Sequence, residues 1–218
     1  MRAFDRIEAV AAPLVRPNID TDLIISGDHC MKVSNKGFAE GLFANWRYLT
    51  GPGGYVRDGG GALVPDESFV LNQPAYRGAE ILLGGVNFAC GSSREHAVWA
   101  LHDWGIRAVI APSFGNIFYA NCFKNGLLPV TLPLDAIEAI AAEVAPAPQA
   151  NKVIVDLVEM VVVSPSGTTY RFEIGEFYRL VLLEGLNPID AVLRYEEEIG
   201  GFQAADRGRR PWIYGSAA

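Results

Sequence analysis

The chain has 218 residues, half of them hydrophobic and a fifth charged, and carries a formal net charge of −7 at pH 7. This length allows one substantial core, at roughly 100–200 residues per domain, and the acidic surplus excludes a nucleic-acid binder, which needs a concentrated basic surface. No apolar run approaches the ~20 residues of a membrane span, so the sequence excludes a helical membrane protein.

Along the chain, the apolar stretch from Ile7 to Val15 predicts a first strand, followed by a loop with the polar cluster of Asn18, Asp20, Thr21 and Asp22. The glycine-rich run from Thr50 to Asp66 reads as a surface loop, too flexible for regular structure unless a partner orders it. Ala79 to Leu83 reads as a strand, and Ala97 to Trp104 as a helix stopped by Gly105. A strand from Ile106 to Ala111, a helix from Ser113 to Lys124, a strand from Leu128 to Leu132 and a helix from Asp135 to Val144 continue the alternation. Val153 to Val163 reads as a strand joined through Ser164–Gly167 to Thr169–Ile174 as a hairpin. Helices over Phe177–Leu183 and Ile189–Ile199 close a single domain spanning 1–202, which leaves 203–218 as a flexible tail. The basic cluster Arg207, Arg209 and Arg210 lies in that tail, as a solvated end or a partner contact.

Asp5 and Glu8 interrupt the stretch where an export signal would need apolar residues, so a cytoplasmic location is expected. Cys30, Cys90 and Cys122 are scattered without a CxxC pair, which fits a reducing compartment and supplies no zinc or iron–sulfur motif. No metal is expected in this chain, and Cys122 is expected to be a buried small hydrophobe.

The densest chemistry lies in Gly84-Gly-Val-Asn-Phe-Ala-Cys-Gly-Ser-Ser-Arg-Glu-His-Ala97. Gly91, Ser92, Ser93 and Arg94 fall where a strand has ended and a helix begins. The first N–H groups of a helix lack intrahelical partners and the helix dipole is positive there, so the position favours a carboxylate or phosphate. Arg94 adds a bidentate fork for a carboxylate. A purely structural reading competes, because Ser92 and Glu95 have the spacing of a capping box. For Asp20, Thr21 and Asp22 the plain alternative is a turn whose side chains bond their own backbone. His96 reads more readily as a packed support than as half of a Ser/His pair, and His29 and His102 carry weaker signals still.

Asn18–Ile25, Gly37-Phe38, Trp46-Arg47, Phe69–Asn72, Asn87–Ala97 and Ile110–Phe118, in that order, resemble the small subunits of 3-isopropylmalate dehydratase, from about Ile7 to Ile199. The Gly-Ser-Ser-Arg-Glu-His run is similar to that of the aconitase swivelling domain. The resemblance implies a three-layer β/β/α swivelling domain that closes over a separate large subunit carrying a [4Fe–4S] cluster. It further implies a hydro-lyase, active only with that partner, interconverting 2- and 3-isopropylmalate by dehydration and rehydration in leucine biosynthesis. Ser92 would be the catalytic base, Ser93 and Arg94 would grip a substrate carboxylate, and Asp20, Thr21 and Asp22 would line the same pocket.

Where the family has a Pro-Lys-Gln-Phe-Leu-like stretch facing the variable end of the substrate, this chain reads Ser26, Gly27, Asp28, His29 and Cys30. That loop is the expected specificity element, and its altered chemistry keeps another substituted malate open as the substrate. A cysteine-dependent hydrolase built on Cys90, with Glu95 or His96 as helper, is the rival from a different class.

Overall fold

In a computed structural model, which describes residues 1–31, 34 and 36–215, the single strand expected from Ile7 to Val15 is two. β1 (Arg6–Ala9) and β2 (Ala11–Leu14) belong to different sheets, and the chain crosses between them at Val10. Residues 9–12 are at most 5% exposed. Both faces are covered there, so the in–out alternation that would mark the break is missing from the sequence. Inside the predicted loop the chain makes one helical turn, α1 (Thr21–Ile24), and a second, α2 (Ala44–Arg47), precedes a small hairpin of β3 (Thr50–Gly51) and β4 (Gly54–Tyr55).

The hairpin corrects the expectation of an unstructured glycine-rich loop. Pro52-Gly53 turns the chain, and Tyr48 bridges Pro65 while Arg57 bridges Leu63. Asp58 Oδ1 accepts the N–H groups of Gly60 and Ala62, and Arg57 Nη1 donates to Gly61 O. The segment is ordered by its own turn chemistry, which glycine content alone conceals.

The expected alternation follows: β5 (Ile81–Gly84), α3 (Glu95–Trp104), β6 (Ala108–Ala111), α4 (Asn116–Lys124), β7 (Leu128–Thr131) and α5 (Leu134–Val144). β2, β5, β6 and β7 form a parallel sheet in that order, with α5 packed across β2, β5 and β6. Ile81, Leu82, Leu83, Val109 and Ile110 are fully buried, as parallel strands covered on both faces require. Each such side chain stabilises the fold by ~1.5–3 kcal/mol through burial.

The second sheet is antiparallel, in the order β1, β8 (Val153–Asp156), β9 (Val161–Val163) and β10 (Thr169–Arg171). The run from Val153 to Val163, expected to be one strand, therefore folds back on itself, with Ile154 opposite Val163. Asp156 Oδ1 accepts the Glu159 N–H at 2.8 Å and Met160 takes φ 54°, which together make the turn inside an apolar stretch. The predicted hairpin through Ser164–Gly167 forms between β9 and β10. With helices on the parallel sheet and a second sheet beside it, the chain has the β/β/α class expected.

α6 (Glu176–Glu184), α7 (Pro188–Leu193) and α8 (Glu196–Arg209) close the chain. The tail expected from residue 203 begins inside α8, which runs through Gly200 and Gly201; residues 216–218 lie outside the described residues. Glu196–Glu198 at its start and Arg207 and Arg209 at its end complement the helix dipole and offset the glycines. Arg210 forms a bidentate pair with Asp206, at 2.8 and 2.9 Å, and Arg207 lies over the Tyr214 ring.

Candidate active-site corner

Three loops leave the carboxyl ends of β2, β5 and β6, the edge of a parallel sheet where ligands bind. They remain knitted beyond the strands: Ala89 N donates to Ile19 O, Thr21 N to Cys90 O, Phe88 N to Ser113 O and Gly115 N to Phe88 O, all at 2.6–2.9 Å. Close approach depends on glycine. A Cβ on Gly85 would lie 2.3 Å from Arg16 O, and one on Gly115 would lie 2.4 Å from Ala89 O. Asn18, Asn87 and Ala89 take φ between 56° and 59°, and Gly91 takes 91°. A concentration of left-handed residues in facing loops stores strain that the surrounding ladder must hold.

Ser92 and Ser93 follow Gly91 on the surface, and among the described residues neither hydroxyl has a hydrogen-bond partner. The capping-box reading fails: the N-cap of α3 is Arg94, without a side-chain cap, and Glu95 Oε1 instead accepts from Asn125 Nδ2 at 2.8 Å. At the start of this ten-residue helix Ala97 N donates to Arg94 O at 3.2 Å, while among the described residues the N–H groups of Glu95 and His96 have no partner and can meet a ligand.

Thr21, 1% exposed, donates from Oγ1 to Ser92 O at 3.0 Å across 71 residues of sequence. Its hydroxyl thus tethers the serine turn and does not bond its own backbone. For Asp20 the plain reading holds, since its Oδ1 caps α1 through Leu23 N at 2.8 Å. Arg94 Nη1 pairs with Asp22 Oδ1 and reaches Ile25 O, while Nε and Nη2 make no hydrogen bond among the described residues. Asp22 thus fixes the guanidinium from one side and leaves a two-pronged edge open.

The segment Ser26–Cys30 arrives at the same corner. Gly27–Met31 is a 3-10 turn directly after α1, in which His29 Nδ1 and Ser26 Oγ are 3.0 Å apart and Cys30 Sγ donates to Ser26 O. Burial pushes the Cys30 thiol up; Arg94 pulls it down and Asp22 raises it, so the thiol lies within the field of that ion pair. His29 also meets the Tyr55 ring edge-on, with centroids 6.3 Å apart, and Tyr55 OH donates to Asn45 Oδ1. No sequence signal brings the hairpin onto this loop. The Asn18–Asn87 side-chain bond at 2.9 Å and the Ser113 hydroxyl accepting Asn87 N were equally unforeseen, although asparagine at positive φ was the signal available. Because Ser113 is engaged there, α4 starts at Asn116 and not at Ser113.

His96 packs as support, its ring 5.3 Å from Phe38 and 4.8 Å from Trp99. With Glu95 tied to Asn125 and His96 packed on Trp99, no hydrogen bond joins either helper to Cys90 among the described residues, and the cysteine-hydrolase pairing gains no support. Cys122 is fully buried, and among the described residues no three His, Cys, Asp or Glu side chains converge to hold a metal. A cavity of about 660 Å³ lined by Arg16, Trp46, Tyr48 and Phe69 contains none of the corner residues. The corner itself is open to the surface, with Gly91, Ser92 and Ser93 exposed.

Residues 1–135 match the family model described as the aconitase C-terminal domain. Over 214 residues the chain is 54% identical to the 3-isopropylmalate dehydratase small subunit of Cupriavidus necator, covering 98% of this chain and 99% of that one. It is 45% identical over 214 residues to the small subunit of Leptospira interrogans, with the same coverage. Among solved structures, 3-isopropylmalate dehydratase from Methanocaldococcus jannaschii aligns with a TM-score of 0.62 and 26% identity, over 91% of this chain and 99% of the other.

Proposed function

The chain belongs to the aconitase C-terminal domain family, among its 3-isopropylmalate dehydratase small subunits, and on that premise we propose that its Ser92 corner is half of an active site completed by a large subunit. The reaction is the interconversion of 2- and 3-isopropylmalate by loss and re-addition of water, in leucine biosynthesis. No helix among the described residues is long and apolar enough to cross a membrane, and the reading places the enzyme in the cytoplasm. The observation that carries it is the pairing of two unpartnered serine hydroxyls with an arginine whose outer edge is open, all ahead of an uncapped helix start.

The chemistry requires removal of a proton from a carbon beside a carboxylate, where negative charge develops. Arg94, steadied by Asp22, would grip a substrate carboxylate through Nε and Nη2, with the Ser93 hydroxyl as a further donor. That grip would bring the acidic C–H to Ser92 Oγ. A serine hydroxyl is a poor base unless its alkoxide is stabilised, and the Glu95 and His96 N–H groups with the positive end of α3 would supply such a field. Thr21 would hold the Ser92 backbone in place, Asp20 would fix α1 beneath it, and Ser26–Cys30 would face the variable end of the substrate.

The three cysteines of this chain do not suit a cluster, with Cys122 in the core and Cys30 bonded to Ser26. The [4Fe–4S] cluster belongs in this reading to the large subunit, where it would polarise the departing hydroxyl as a Lewis acid. The test is anaerobic turnover of the chain mixed with a cluster-loaded large subunit, offered 2-isopropylmalate, citramalate and 2,3-dimethylmalate. Ser92→Ala should abolish turnover with assembly intact, and Arg94→Lys should raise KM. Unchanged kinetics in both would sink the assignment; preference for another malate would move specificity to the His29–Cys30 chemistry.

A further inference from the structure

At the opposite end of the parallel sheet from Ser92, the chain buries a charge that it does not match. Glu80 precedes β5 and Arg107 precedes β6, so both stand where the strands begin, and Arg107 N donates to Glu80 O at 2.7 Å. The Arg107 residue is only 6% exposed. Its guanidinium lies 5.5 Å from the centroid of the Phe4 ring and its Nη2 donates to Ala3 O, but Nε has no partner among the described residues. Among the described residues no carboxylate forms an ion pair with it. A largely buried guanidinium with one protein hydrogen bond and no ion-paired carboxylate is costly to keep charged.

This arginine lines a cavity of about 410 Å³, together with Arg2, Glu80, His102 and Trp104. A second cavity, of about 380 Å³ and lined by Leu71, Pro74 and Tyr76, shares Gly78 and Trp104 with the first. The two adjoin at Gly78 and Trp104, the first bringing Arg107 and Arg2 and the second Leu71, Pro74 and Tyr76, each in the size range of small-molecule sites. Cations crowd the first chamber. Burial and the charge of Arg2 both push the Arg107 pKa down, and Arg107 in turn lowers His102. Glu80, Asp5 and Asp103 act in the other direction without contacting the guanidinium, as does the carboxyl end of α3.

We propose that the adjoining cavities bind a small carboxylate with a compact apolar tail, its head between Arg107 and Arg2 and its tail against Trp104 and Tyr76. Glu80 lines the same cavity and offers a carboxylate to an ammonium group, so the same chemistry admits a 2-oxo acid or an α-amino acid. The site is distinct from the Ser92 corner and does not depend on the dehydratase reading.

The experiment is calorimetric titration of the full-length chain with 4-methyl-2-oxopentanoate, with leucine and with inorganic phosphate. One-to-one binding of either apolar acid is expected, with Arg107→Met at least ~10-fold weaker, the usual scale for a lost charge-assisted contact. Arg2→Gln, at an exposed position that leaves the core untouched, should weaken binding severalfold and keeps the test valid if Arg107→Met does not fold. Tighter binding of leucine, lost in Glu80→Gln, supports the proposal with an α-amino acid as ligand; tighter binding of the oxo acid supports it with a plain carboxylate. Saturation by neither acid, affinity unchanged in Arg2→Gln and in folded Arg107→Met, or phosphate binding more tightly than both acids would each overturn it.

Discussion

Replacing Thr21 by valine removes one atom's function and almost nothing else. The side chain is 1% exposed and of similar shape in both residues, and the backbone bonds from Thr21 N to Cys90 O and from Ile25 N to Thr21 O are unaffected. What is lost is the 3.0 Å bond from Oγ1 to Ser92 O. A neutral hydrogen bond contributes ~0.5–1.5 kcal/mol net, and Ser92 lies at the surface, where water can take over its carbonyl. A loss of about 1 kcal/mol is therefore expected, which lowers Tm by ~2–4 °C in a protein of this size. The effect on catalysis should be larger than the effect on stability. Ser92 lies in a turn held against α1 by that bond, and displacing a reacting group by about 1 Å costs on the order of 100-fold in rate. Thr21→Val should lower kcat by ~10- to 100-fold at a temperature where the protein is still folded, with little change in KM. Thr21→Ser keeps the hydroxyl and should retain most of the activity. The assay is steady-state isomerisation by the two-subunit enzyme beside a thermal melt. A folded Thr21→Val enzyme within twofold of wild-type kcat, or an equal loss in Thr21→Ser, refutes the tether.

Three further outcomes follow from the geometry. Gly115→Ala sets a Cβ 2.4 Å from a backbone oxygen that cannot turn aside, so it should cost ~1–3 kcal/mol in urea unfolding, whereas Gly53→Ala, with nothing within 4 Å, should be nearly neutral. Because burial and Asp22 raise the Cys30 thiol while Arg94 lowers it, Asp22→Asn should speed alkylation of Cys30 by iodoacetamide at pH 8, measured by peptide mass spectrometry; an unchanged or slower rate contradicts the placement. Burial and Arg107 hold His102 below its ordinary value of 6.5, so the unfolded chain binds its proton first and stability falls as pH drops below that value. The difference in urea midpoint between wild type and His102→Gln should therefore change between pH 7.5 and 5.5, and a constant difference would contradict the depressed pKa.

Much of this was written in local sequence. β5, α3, β6, α4, β7 and α5 follow from apolar period and glycine stops, because each element's neighbours along the chain dictate its period. The Gly-Ser-Ser-Arg run likewise marks a helix start from residue types alone, and α3 opens directly after it. Where the sequence misled, the reason is burial on both sides. Ala9–Ala12 reads as one strand because a stretch covered on both faces loses its alternation, whereas Val153–Val163 reads as one because its turn needs only Asp156 and one left-handed residue inside an apolar run.

The site divides in the same way. Residue chemistry determined that Ser92, Ser93 and Arg94 could meet a carboxylate. Only the tertiary structure decided that Glu95 would bond Asn125 and leave the helix start uncapped, and that Thr21 would reach 71 residues forward to hold Ser92. It also decided that Asp22 and Cys30 would share one field with Arg94, and that Arg107 would be buried with no carboxylate ion-paired to it among the described residues. Those are contacts between segments remote in sequence, and their distances are set by how β2, β5 and β6 align, which no local pattern encodes.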